Sequence, residues 1–116
     1  MEHAVLIRFP LSGGFGNAQE LETLARLSGD IAGAVAAAGA GEFDGHEAGG
    51  GEYRLFLYGP DAGKLFGAVE PLLSRWPSGA VAVKRYGPPG AAEVRVSVPA
   101  ADAAPGTSSS GEEPLK

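Results

Sequence analysis

The sequence predicts an α+β fold, a two-layer βαββαβ sandwich with an extra C-terminal β-strand, whose antiparallel sheet carries two helices on one face. Three observations predict it. Short runs rich in Val, Leu, Phe and Tyr alternate with two longer stretches whose apolar residues recur every three to four positions. Gly and Pro clusters punctuate these runs at each change of period. The hydrophobic pattern stops after Val98, which leaves one domain over 1–98 and an acidic tail over 99–116.

Val5-Leu6-Ile7-Arg8-Phe9, closed by Pro10, reads as the first strand. After a Gly-rich loop, Asn17 stands three residues before Glu20, the spacing of a helix N-cap with a reciprocal partner. Leu21, Leu24, Ser28, Ile31 and Val35 then mark one face of a helix. Gly29 and Gly33 either weaken that helix or let it approach a sheet, and Gly39 and Gly41 end it. Glu42–Glu47 is a polar, edge-type strand. The glycines at 49, 50 and 51 supply a hairpin into Tyr53-Arg54-Leu55-Phe56-Leu57-Tyr58, which alternates cleanly.

Gly59 and Pro60 stop that strand, and Asp61 caps a second helix with Leu65, Val69, Leu72 and Trp76 as its buried stripe. Pro71 should kink this helix, because its ring clashes with the carbonyl of Gly67. Val81 and Val83 mark a fourth strand, ending near Tyr86. After the Gly87-Pro88-Pro89-Gly90 turn, Val94, Val96 and Val98 mark a fifth strand, antiparallel to the fourth. The expected strand order is 5-4-1-3-2. From Ala100 to Lys116 the composition is too poor in apolar residues to build order of its own.

Composition narrows the functional classes. Cysteine is absent, which excludes disulfides, thiolate chemistry and Cys-based zinc sites. The net charge is −5. Residues 1–98 hold eight Lys/Arg against eleven Asp/Glu, and the tail holds Lys116 against Asp102, Glu112 and Glu113. With neither part basic, duplex DNA and anionic membranes are not expected partners. No stretch approaches the roughly eighteen apolar residues of a membrane span. The chain enters its first strand directly after Glu2 and His3, without a leader pattern, so the expected compartment is the cytoplasm.

Motifs that invite a chemical reading do not carry one. Gly59-Pro60-Asp61-Ala62-Gly63-Lys64 lacks the four-residue spacing and the trailing Ser or Thr of a phosphate-binding loop. Gly13-Gly14-Phe15-Gly16 sits between a strand and a helix, but Gln19 occupies the position where the dinucleotide fingerprint requires its last glycine. No cofactor is therefore expected. Asp44, His46 and Glu47, with His3, are the only cluster of metal-ligand type. Strand alternation puts Asp44 and His46 on one face and Glu47 on the other, which is too few ligands on either side. A small metal-dependent enzyme built on this hairpin stands as a minor alternative. His46 as a base has no nucleophile placed beside it.

The sheet offers more. If Val5, Ile7, Leu55, Leu57, Val81 and Val83 face the helices, the opposite face receives Leu6, Arg8, Arg54, Phe56, Tyr58, Lys84, Tyr86 and Arg95. That face is aromatic and basic within an acidic protein. Tyr, Phe and Arg are favoured at protein interfaces, so the leading expectation is a non-enzymatic interaction or regulatory domain that binds a protein or a second copy of itself. Single-stranded RNA is the alternative, since aromatics on the first and third strands of such sheets stack on bases. The Arg54, Phe56, Tyr58 alternation resembles that arrangement, but Leu55 and Leu57 replace its interleaved glycines and Leu6 stands where the first strand should offer an aromatic.

Two further stretches, Gly41-Glu42-Phe43-Asp44-Gly45-His46-Glu47 and Arg85-Tyr86-Gly87-Pro88-Pro89-Gly90-Ala91, have Leu57-Tyr58-Gly59-Pro60-Asp61 between them. Together they resemble a family of small uncharacterised bacterial proteins. The resemblance covers about residues 4–98. It implies a single ferredoxin-like βαββαβ domain and brings no activity with it.

Overall fold

A computed structural model describes residues 2–100. The elements run β1 (His3–Pro10), α1 (Ala18–Ala38), β2 (Glu42–Gly49), β3 (Glu52–Gly59), α2 (Ala62–Leu73), β4 (Ala80–Arg85) and β5 (Glu93–Val98). All five strands belong to one open antiparallel sheet, in the order β2-β3-β1-β4-β5.

Local chemistry explains the boundaries. Asn17 accepts from the Glu20 N–H at 2.8 Å while Glu20 Oε1 accepts from the Asn17 N–H at 3.0 Å, closing a capping box at the start of α1. Gly39 ends α1 in the left-handed region at φ 60°. The β2–β3 hairpin turns on Gly50 and Gly51, both with positive φ, which is the two-residue turn whose twist matches the strands. Helix α2 continues to Leu73, so Pro71 occupies its last turn, and Trp76 lies beyond the helix rather than on its stripe. Phe66 and Leu73 take buried positions in α2, while Leu72 is half-buried.

One core holds the two layers together. Val5, Ile7 and Phe9 of β1 and Tyr53, Leu55 and Leu57 of β3 point into it. They meet Leu24, Leu27, Ile31 and Val35 of α1 and Leu65, Phe66 and Val69 of α2. Ser28 joins the buried stripe of α1 by donating its hydroxyl to the Leu24 carbonyl at 2.7 Å. Gly29 and Gly33 are on the exposed side of α1, so they serve no close approach to the sheet. Burial runs past Val98 to Ala100, two residues beyond the end of the hydrophobic alternation. The remainder of the expected tail lies outside the described residues.

The register of β4 departs from expectation. Ile7 pairs with Ala82 and Leu6 with Val83, so Ala80 and Ala82 face the helices while Val81 and Val83 face the other way. Reading the valines as buried placed β4 one residue out of phase, and such a slip exchanges every side chain between faces. Beneath α2 the small alanines fill the space, and the branched valines are left to line the outer face.

Candidate interaction face

The face of the sheet away from the helices forms a shallow concavity of about 450 Å³, lined by Leu6, Arg8, Phe56, Tyr58, Val83, Arg85, Glu93 and Arg95 among others. Its centre is an apolar strip at one register. Phe56 of β3 pairs with Leu6 of β1, and Leu6 pairs with Val83 of β4. All three are half-buried.

Charge surrounds this strip. Arg8 and Arg54 lie one pairing step to one side, and Tyr58 and Arg85 flank Ala4 on the other. Arg54 is tied down. Its Nε donates to Glu47 at 3.0 Å and a terminal nitrogen donates to Glu52 at 3.2 Å and to the Gly49 carbonyl at 3.3 Å. These bonds, that to Glu47 first, raise the guanidinium above its already high ordinary value, so it remains charged at any working pH. Arg85 donates to the Gly87 carbonyl at 2.7 Å and lies opposite Glu93 across the β4–β5 pairing. Arg8 Nε is buried without a hydrogen-bond partner, 3.9 Å from Glu52.

The pairing sorts the expected face residues into two groups. Arg8, Arg54, Phe56 and Tyr58 share the open face, with Leu6 and Arg95. Lys84 does not join them. It pairs with Val5 on the helix side, where its Nζ lies 5.1 Å over the Phe66 ring. Tyr86 follows the end of β4 and meets His3 edge-on at 5.7 Å. The phase of β4 takes both off the open face and brings Val83 and Arg85 to it in their place. The face is also less basic than expected. Arg8, Arg54, Arg85 and Arg95 are matched by Glu42, Glu47, Glu52 and Glu93.

The polar hairpin assembles no site. A bulge between Phe43 and Gly45 takes Asp44 out of the pairing, which keeps Phe43 against the core. His46 stacks on Tyr53 with ring centroids 5.1 Å apart, and Glu47 belongs to Arg54. His3 Nδ1 accepts from the Ala62 N–H at 3.0 Å, completing the N-terminus of α2 together with Asp61, which accepts from Gly63 and Lys64. Among the described residues, no three His, Asp or Glu side chains come together as metal ligands. The two glycine loops are likewise closed on themselves. Asp61 and His3 use the free donors of α2. The Gly13–Gly16 loop is stitched to the hairpin by Leu11 N–H to Gly51 O and Gly51 N–H to Gly14 O, each 2.8 Å.

Comparison of the chain with protein-family models, with curated proteins and with solved structures returned no match.

Proposed function

We propose that this chain is a ferredoxin-like βαββαβ domain with an added fifth strand, working as a non-enzymatic interaction or regulatory module through its open sheet face. The observation that carries this reading is the Phe56–Leu6–Val83 strip, apolar, concave and ringed by arginines and glutamates. Such a centre-and-rim arrangement is that of a protein interface. Glutamates and arginines in equal number suit a protein surface better than a polyanion, which favours protein over RNA as the partner. Among the described residues of this face, Ser97 has no histidine or lysine beside it to act as its base. In this reading the module works in a bacterial cytoplasm.

Light scattering coupled to size exclusion tests the reading. Wild type is expected to elute as an assembly, and Phe56→Glu as a folded monomer, since a carboxylate in the strip must be desolvated on contact. A wild-type chain that stays monomeric at millimolar concentration, with hydrogen exchange at the strip matching that of free surface, would overturn it.

A further inference from the structure

Arg95 and Glu42 stand at opposite edges of the open face, and neither has a side-chain partner among the described residues. We propose that the open face is covered by a second copy of this chain, related by a two-fold axis parallel to β1, so that Arg95 of each copy enters between Glu42 and Glu47 of the other. This rests on the reading of the open face as an interaction surface and names its occupant.

Symmetry leaves few choices. A dimer of identical faces is isologous, so its axis lies in the plane between the sheets. The apolar strip is centred on Leu6 of β1, with one strand on either side, and two in-plane axes through Leu6 lay the strip on itself. An axis running across the strands sets every strand over its own copy. That places Arg95 on Arg95 and the acidic β2 edge on itself, joining like charges.

An axis parallel to β1 exchanges the edges, laying β5 over β2 and β4 over β3. Phe56 and Val83 share one register with Leu6, so each meets the other while Leu6 meets its own copy. Arg85 and Tyr58 are both level with Ala4, so Arg85 falls on the tyrosine face. Arg95 is level with Val83 and Gly45 with Phe56, so Arg95 falls on Gly45. That glycine lacks a side chain, and a Cβ built on it would meet nothing within 4 Å, which leaves room for the incoming guanidinium. Glu42 and Glu47 flank the gap. Packed sheets cross at about 30°, which tilts the axis about 15° from β1 and displaces an edge residue by about 5 Å, within the reach of an arginine side chain.

Two contacts oppose this arrangement. Arg8 sits on the axis against its own copy, with Glu52 at 3.9 Å to offset it, and Glu93 meets Glu42 with Arg85 opposite it on the neighbouring strand. The area is at the lower end of what a dimer needs. Three strands of eight residues and two of six, at about 4.8 Å between strands and about 3.3 Å per residue, give roughly 570 Å² in projection before side-chain relief is counted. A standard interface takes about 800 Å² per partner.

Charge reversal provides the test, with sedimentation equilibrium as the readout and circular dichroism as the check of folding. Arg95→Glu and Glu42→Arg should each weaken the dimer about tenfold or more. The chain carrying both substitutions should recover most of the wild-type affinity, because the pair is re-formed with its signs exchanged. If Phe56→Glu dissociates the dimer while the two reversals have no effect or simply add, the face is the interface and this arrangement is wrong. If wild type is a monomer, this arrangement falls, and the reading of the face as an interaction surface falls with it only if hydrogen exchange at the strip also matches that of free surface.

Discussion

Arg8 and Arg54 lie directly opposite each other on β1 and β3, and the single carboxylate of Glu52 serves both, at 3.9 Å and 3.2 Å. Like charges facing across a strand pair repel, so Glu52, with Glu47 on the far side of Arg54, offsets that repulsion. We expect Glu52→Gln to lower the melting temperature by a few degrees at low salt. Added salt should recover only part of the loss, because both guanidiniums are partly buried and screening acts on them weakly. Equal melting curves for the variant and wild type in low salt would show that Glu52 has no such part.

Trp76 is the only tryptophan, and it leaves the end of α2 to reach across to β1. Its indole N–H donates to the Pro10 carbonyl at 2.9 Å, and its ring meets Phe9 edge-on at 6.3 Å. Trp76→Phe removes the donor and should cost about 1 kcal/mol, whereas Trp76→Ala also opens a cavity and should cost about 3–5 kcal/mol. Chemical denaturation with far-ultraviolet dichroism as the probe measures both. Equal losses in the two variants would mean that packing at this position contributes little.

The number, type and sequence order of the elements were legible because each rests on local chemistry: Asn17 with Glu20, Gly39, the Gly50-Gly51 turn, and the alternation from Tyr53 to Tyr58. The phase of β4 was not. Ala-Val-Ala-Val reads as buried valines on hydrophobicity alone, and only the space beneath α2 decides that the alanines go inward. Half of the face followed directly from β1 and β3. Val83 and Arg85 could not be read from β4 by itself, and of the glutamates that balance the arginines Glu42 and Glu47 came to this face only once β2 was set beside β3 with its bulge. Helical spacing and a reversing turn can bury the same residue, and Trp76 is buried by the turn that follows α2.

Glycine splits into two kinds in this chain, and alanine scanning should separate them by sign. Gly29 and Gly33 are exposed in the middle of α1 with open space where a Cβ would go. Their replacement by alanine should stabilise the domain by about 0.5–1 kcal/mol each. Gly41 and Gly59 pack backbone against backbone where the chain enters β2 beside the end of β3. A Cβ on Gly41 would collide with the Tyr58 carbonyl, and one on Gly59 with the Ala40 carbonyl. Alanine at either should cost about 3 kcal/mol or more. Thermal melts of the four single variants decide it, and a destabilised Gly33→Ala or a neutral Gly59→Ala would contradict the packing described.

Glu20 gives the α1 N-terminus a dependence on pH. Its carboxylate accepts from the Ser12 hydroxyl at 2.7 Å and from the Asn17 and Ser12 N–H groups at 3.0 and 3.3 Å. The Ser12 hydroxyl bond is the largest influence and holds this carboxyl below its ordinary value of 4.5; burial opposes it, and the Asn17 and Ser12 backbone bonds, each smaller than burial, reinforce it. A carboxyl whose value is lower in the folded chain than in the unfolded one stabilises the fold above the unfolded value. That contribution declines as the pH falls through the folded value, because protonation removes the acceptor. Ser12→Ala removes the principal cause and should flatten the acid limb of the stability curve below about pH 4.5. Glu20→Gln should flatten it further, while Asn17→Ala should cost about 1 kcal/mol of capping at neutral pH. Melting temperatures of the three variants across the acid range provide the check, and a Glu20→Gln curve as steep as that of wild type would remove Glu20 from the account.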